Sequence, residues 1–140
     1  MTEHRPRKVF VNLPVSDLAR SKAFFDKLGF HYDARFTNEK AACMILSEQG
    51  FVMLLQRDFF ATFTRRAVAD TDAPTETLVA ISCESREEVT ELLRIALENG
   101  GRAAMPPQDY GFMFQSSFYD PDGHHWELGW MDPSHLVPKS

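Results

Sequence analysis

The sequence predicts an α+β fold built from two tandem βαβββ modules that form a curved mixed sheet with a concave groove. Three observations carry this. A strand, a capped helix and three short strands follow one another in the first half. The same order returns in the second half. Between the halves lies a stretch that fits neither pattern. Two similar units make a two-fold duplication rather than a solenoid, which needs three or more repeats to bury its faces. With the units side by side, the helices would cover the outer face and leave a concave inner one, the natural place for a small-molecule groove.

Residues 8–15, Lys-Val-Phe-Val-Asn-Leu-Pro-Val, alternate as a strand does. Val9, Val11, Leu13 and Val15 fall on one face, and Phe10, Asn12 and Pro14 on the other. Pro14 suits an edge position or the strand's end. Ser16 or Asp17 can cap the helix that follows. Leu18, Phe24, Phe25 and Leu28 make its apolar stripe, and Gly29 stops it. Strands are expected at about 30–37, 41–47 and 51–56, broken at Asn38-Glu39 and Glu48-Gln49-Gly50. Residues 8–56 thus form the first module.

Residues 57–76 form a linker, with a short helix at Asp58–Phe63 and a polar run after it. Its phenylalanines, Phe59, Phe60 and Phe63, suit a core or an interface between subunits. The second module covers 77–131, and 132–140 is a tail. A strand at 77–83 leads into Ser85-Arg86-Glu87-Glu88, a capping box in which hydroxyl and carboxylate satisfy end amides reciprocally. Val89, Leu92, Leu93, Ala96 and Leu97 recur at helical spacing. Asn99-Gly100-Gly101 ends that helix. Strands near 102–105, 112–119 and 124–131 complete the unit. The last two flank Asp120-Pro121-Asp122-Gly123, which has the residue preferences of a type I turn and reads as a tight hairpin.

Bulk properties exclude several functions. The formal charge of -5 over 140 residues argues against a nucleic-acid partner, which wants a basic face. With 44% hydrophobic residues the chain is globular rather than disordered. No apolar run reaches the roughly 20 residues that cross a bilayer. The polar start, Met1 to Lys8, has no segment of signal-peptide type. Cys43 and Cys83 are far apart, which fits reduced thiols in the cytoplasm. Cys43, on a middle strand, could be a reactive thiol, but no histidine is obvious beside it, so a buried apolar cysteine is expected there. Arg65 and Arg66 could draw an anion but more ordinarily face solvent.

The candidate site centres on Glu127. Alternation puts His125, Glu127 and Gly129 on one face, and Trp126, Leu128 and Trp130 on the other. A carboxylate among aromatics needs a partner or a purpose. It can act as a general base or as a polar anchor for a ligand, or simply bond to Asn12 or to backbone. His125 lies about 6–7 Å along the strand on the same face, where the two can flank one ion or one substrate. The ordinary reading of His125 is a solvated histidine at a hairpin end. The His-x-Glu triplet also opens the zinc deaminase pattern, but no Pro-Cys-x-x-Cys partner follows. Asn12 can orient a ligand from the first strand or bond its neighbours. Gln108 and Tyr110 lie, with Asp109, in a loop ahead of strand 112–119, where such a loop can close over a groove lined by Phe112, Met113 and Phe114.

The duplicated pattern resembles the vicinal oxygen chelate superfamily, which contains glyoxalase I, extradiol ring-cleaving dioxygenases, and bleomycin- and fosfomycin-resistance proteins. The resemblance rests on Asn12-Leu13-Pro14-Val15-Ser16-Asp17-Leu18-Ala19-Arg20-Ser21, Phe24-Phe25, Leu28-Gly29-Phe30, and Asp120-Pro121-Asp122-Gly123 with Glu127-Leu128. It covers about residues 8–132. The stretches Gln108–Met113 and Trp126–Pro133 are similar to a bacterial lactoylglutathione-lyase-like subgroup. What the resemblance implies is one domain over the whole chain and a small-molecule ligand. It also implies a homodimer, since family members commonly build the groove with a second subunit.

In metal-dependent members four inward-facing ligands hold one divalent cation. Carried over position by position, these fall on Phe10, Leu54, Leu78 and Glu127. Only Glu127 is a ligand, with His125 the one neighbour able to join it. A slip of one or two residues brings in Asn12, Gln56, Glu76 or Thr77. A catalytic divalent ion needs at least three good ligands, so no metal is expected, with a reduced divalent site as the alternative. The functional expectation is therefore binding of a small, partly apolar molecule, with Phe10, Asn12, Gln108, Tyr110, Phe112 and His125 as contacts and Glu127 as the only catalytic candidate. The alternatives are a glyoxalase-type lyase or isomerase acting on a hemithioacetal, and drug sequestration of the bleomycin-resistance kind.

Overall fold

The computed structural model describes residues 5–136, without the side chains of His135 and Leu136. Part of the expected tail, 137–140, and the first four residues of the polar start lie outside the described residues. The chain divides into two units, 1–70 and 71–140.

The first unit runs β1 (Val9–Val15), α1 (Leu18–Lys27), β2 (His31–Tyr32), β3 (Ala41–Ile45), β4 (Gly50–Gln56) and α2 (Arg57–Ala61). Its sheet order is β1-β4-β3-β2, with β1 and β4 parallel and the other pairs antiparallel. Alternation along β1 holds from Val11 onward, with Leu13 and Val15 buried and Asn12 exposed; at the strand's start both Val9 and Phe10 are exposed, at 57% and 46%. Leu18, Phe24, Phe25 and Leu28 form the buried stripe of α1 as predicted, joined by Ser21. The N-cap is Asp17, whose carboxylate accepts from Arg20 N–H at 3.1 Å; Ser16 instead accepts from the Arg20 guanidinium.

The strand expected over 30–37 is only two residues long. Asp33 diverts the chain: its carboxylate accepts from the Arg35 N–H and guanidinium, and a 3₁₀ turn forms at Ala34–Phe36. The Thr37 hydroxyl donates to Asp33 O and accepts from Cys43 N–H, which seals the turn onto β3. Local side-chain bonds have outcompeted a ladder here. The linker helix is also shorter than expected. Arg57 at its start donates to Val68 O and Ala69 O and pairs with Asp70, tying the polar run back to the first unit.

The second unit runs β5 (Leu78–Ser82), α3 (Arg86–Glu98), β6 (Arg102–Ala103), β7 (Gln108–Asp109), β8 (Met113–Tyr119) and β9 (His125–Met131). The order is β5-β9-β8-β6, with β7 also on β8; β5 and β9 are parallel. In the capping box Ser85 accepts from Glu88 N–H at 3.0 Å, while the Glu88 carboxylate reaches back to Glu84 N–H at 2.9 Å. Val89 and Ala96 are buried on α3; Leu97, expected on that stripe, is 42% exposed. The sheet face that α3 covers carries Phe118, Trp126 and Leu128, all almost fully buried. Each such side chain contributes about 1.5–3 kcal/mol of hydrophobic stabilisation.

The hairpin between β8 and β9 is a type I turn closed by a glycine bulge. Gly123 N–H donates to Asp120 O at 2.9 Å, Gly123 has φ 85°, and Asp120 N–H donates to His124 O at 3.0 Å. No helix of the described residues is long and apolar enough to cross a membrane.

Candidate functional site

The register of the second unit's sheet sorts its side chains into rows. On the face opposite α3, the first row is Leu78, His125, Tyr119 and Arg102. The second is Ala80, Glu127 and Ser117. The third is Ser82, Gly129, Gln115 and Gln108. Glu127 therefore stands between two small side chains and next to a residue with none. A Cβ placed on Gly129 would meet nothing within 4 Å.

The Glu127 side chain is 28% exposed, and that of His125 only 9%. His125 is thus not the solvated hairpin histidine of the ordinary sequence reading. Its ring meets the Tyr119 ring edge-on, at 5.4 Å and 81°. Its Nε2 stands 3.8 Å from Glu127 Oε1, too far for a hydrogen bond, and has no hydrogen-bond partner among the described residues. An unpaired buried polar atom costs about 1–3 kcal/mol, which singles this one out among the site's polar groups.

Gln108 is in β7 rather than in a free loop, because its backbone pairs with Gln115. The Tyr110 hydroxyl donates to Gln108 Oε1, and Tyr110 N–H donates to Met113 O. Phe112 is 41% exposed, and its carbonyl accepts from Asp132 N–H. Sequence reasoning missed what fixes this segment. Arg86, the first residue of α3, donates to both carboxylate oxygens of Asp109, at 2.8 and 3.0 Å, and to Gly111 O at 2.8 Å. Its guanidinium lies over the rings of Phe114 and Trp130, at 5.4 and 5.0 Å. The Arg86 hydrogen bonds hold the Asp109 carboxyl down at about 2. The only local signal was a basic residue at a helix start, where the macrodipole disfavours it.

Phe10 and Asn12 belong to the first unit. Phe10 stacks on Phe51 at 4.9 Å, and the Asn12 amide donates to Phe10 O at 3.2 Å within its own strand. Cys43 is buried, as expected, and so is Cys83. Burial pushes the Cys83 thiol up to about 12, helped by Glu88; it pushes Cys43 up as well.

The four positions carried over for a metal need one correction. Leu54 pairs with Leu13 and lies with it on the face of β1 and β4 opposite Phe10. The Phe10 face continues instead onto Phe51, Met53 and Leu55. Gln56, reached by a slip, is committed elsewhere: its Oε1 accepts from Leu18 N–H and its amide donates to Ser16 O, so it caps α1. Phe10, Met53 and Leu78 offer no hard donor for a divalent ion. Among the described residues no group of three His, Cys, Asp or Glu side chains could hold one. The residues present do not fit the four-ligand centre, and no step is derived through it.

Two duplicated mixed sheets, each with a helix on one face and polar groups on the other face of the second, define the class: an α+β protein of the glyoxalase type. A family model described as Glyoxalase/Bleomycin resistance protein/Dioxygenase superfamily matches residues 8–128, and the chain belongs to that superfamily. No curated protein matches the sequence. Among solved structures, the hypothetical protein SA1046 of S. aureus is similar at 24% identity and TM-score 0.76, covering 91% of this chain and 95% of that one. A glyoxalase-related enzyme from Fulvimarina pelagi is similar at 21% identity and TM-score 0.74, over 89% and 87%. The fosfomycin resistance protein FosX of Listeria monocytogenes is similar at 19% and 0.68, over 98% and 100%. At these identities the likeness is one of fold.

Proposed function

We propose that this chain binds a small, partly apolar molecule on the face of the second unit's sheet opposite α3, without the four-ligand metal centre. The observation that carries this is the buried, unpartnered His125 Nε2 beside the part-exposed Glu127 carboxylate. Gly129 leaves open space beside the pair, while Ser117 on the other side is buried and accepts from Met105 N–H. Gln108, Tyr110 and Phe112 border the site on the segment that Arg86 fixes. Drug sequestration of the bleomycin-resistance kind is one form of this reading, and FosX, of similar fold, is named for resistance to a drug. A homodimer belongs to it too, with the 69% exposed Phe63 after α2 as an apolar contact. In the lyase reading Glu127 is the one group on this face placed to move a proton.

The test is metal content of untagged protein, hemithioacetal turnover with nickel, zinc, iron or manganese added back, and a thermal-shift screen. The expected result is no stoichiometric metal, no turnover, and a ligand that raises Tm by mass action. Stoichiometric metal with turnover that vanishes in Glu127→Gln would overturn this reading.

A further inference from the structure

The preceding reading leaves the ligand's chemistry open; resting on it, we infer that the site takes a neutral molecule bearing an alcohol or phenol hydroxyl, which bridges His125 Nε2 and Glu127 Oε1. The two atoms are 3.8 Å apart. That gap is too wide for a bond between them; Nε2 is closed to solvent as it stands, and one oxygen reaches both once the part-exposed Glu127 side chain gives way to admit it. A carboxylate only accepts hydrogen bonds. A nearby negative charge favours the imidazole tautomer whose proton sits on the nitrogen facing it, so Nε2 donates. The bridging group must then accept from His125 and donate to Glu127 through a single atom. A hydroxyl does both. An ether or ketone oxygen accepts but cannot donate. A ligand carboxylate or phosphate would set its own charge against Glu127.

The surroundings set the rest of the molecule. His125 is buried to nine-tenths, so the hydroxyl end is enclosed. The next row along the strand has Gly129 at its centre, with open space where a side chain would stand. Beyond it Met113 and Met131 are register partners, an adaptable apolar pair. From Glu127 to Met131 a strand rises about 13 Å, which is room for one or two flat rings lying over Gly129.

Matched probes decide the matter: phenol against anisole, and 2-naphthol against 2-methoxynaphthalene, each titrated into isotope-labelled full-length protein by NMR. Each pair shares its ring and differs in the donor. The expected result is that each hydroxyl probe shifts the amides of Ala80, Ser117 and Gly129 and binds at least about tenfold tighter than its ether. The preference should fall to about onefold in His125→Phe, which keeps the ring against Tyr119, and in Glu127→Ala. The His125 Nε2 resonance of the unaltered protein should move with the hydroxyl probes and not with the ethers, a readout that stands even where a variant does not fold. Equal binding of hydroxyl and ether would mean that solvent serves the two atoms; it overturns the hydroxyl assignment while leaving binding at this face intact. No shift on this face from any of the four probes removes both readings.

Discussion

Trp126 donates its indole N–H to the carboxylate of Asp120 at 3.0 Å, across the hairpin that carries His125 and Glu127. The same carboxylate accepts from the backbone N–H of Asp122 and of His124, at 2.9 and 3.0 Å, and is only 2% exposed. Burial pushes the Asp120 carboxyl up, and the His124 imidazole and these donors pull it back. Asp120 is therefore the pin of the turn. Asp120→Ala leaves three donors unmet, and at about 1–3 kcal/mol each should cost on the order of 4 kcal/mol. Asp120→Asn keeps one acceptor oxygen and should cost less. Urea unfolding measures both; a loss under about 1 kcal/mol for the alanine variant would show that the turn does not need its pin.

Two glycines should respond differently to the same substitution. Gly29 and Gly123 both have positive φ, 93° and 85°. A Cβ on Gly29 meets nothing within 4 Å, whereas on Gly123 it would lie 2.8 Å from Thr71 Cγ2 and 2.9 Å from Thr71 O. Gly29→Ala should cost about 1–2 kcal/mol, from backbone conformation alone. Gly123→Ala adds a clash with backbone that cannot rotate away and should cost at least about 1 kcal/mol more. Equal losses in paired denaturation curves would refute the contact with Thr71.

What the sequence disclosed was whatever a period or a local motif encodes. Alternation along β1 and β9 put Phe10 with Asn12 and His125 with Glu127 on shared faces, and the register agrees. Asp120-Pro121-Asp122-Gly123 announced its own turn. What stayed hidden depends on partners far along the chain or on side chains that compete with the ladder. Gln56 caps a helix 38 residues earlier, and Arg86 grips Asp109 and Gly111 from 23 and 25 residues away. Asp33 replaced a strand with a turn. Leu54 was misplaced because an alignment by motif does not respect the two-residue period, and a slip of one moves a side chain through the sheet.

The Arg86 grip has a pH signature. Asp109 is held at about 2 by hydrogen bonds from Arg86 and from Gly111 N–H, against an ordinary value near 3.9. Because the folded value is depressed, its stabilising contribution is complete above about pH 4 and is lost as pH falls through about 2. Arg86→Lys cannot fork and should bring the Asp109 carboxyl back toward its ordinary value. It should also speed amide exchange over 108–112. Carboxyl carbon shifts followed against pH test this; an unmoved titration would mean that Gly111 N–H alone holds the group.

Both thiols should be silent in the folded protein. With Cys83 at about 12 and Cys43 also raised and buried, the thiolate fraction at pH 8 is negligible. Iodoacetamide should label neither within an hour at pH 8, and both at once in denaturant. One rapidly alkylated cysteine in the native state would show a local opening.

Stability and binding should separate at Gly129. It lies in the middle of β9 without a positive φ, and a Cβ there meets no atom within 4 Å. Gly129→Ala should therefore hold or raise stability, by up to about 1 kcal/mol, since alanine loses less backbone freedom on folding. Gly129→Leu should stay folded but project into the space beside Glu127, with Gln115 and Ser82 on either side. If that space is where a ligand's apolar body rests, the leucine variant keeps its unfolding midpoint and loses at least about tenfold in affinity for any molecule found to bind this face, a steric exclusion with nothing to compensate it. Unchanged affinity in a folded leucine variant would place the ligand elsewhere, however well Glu127 and His125 are arranged to receive it.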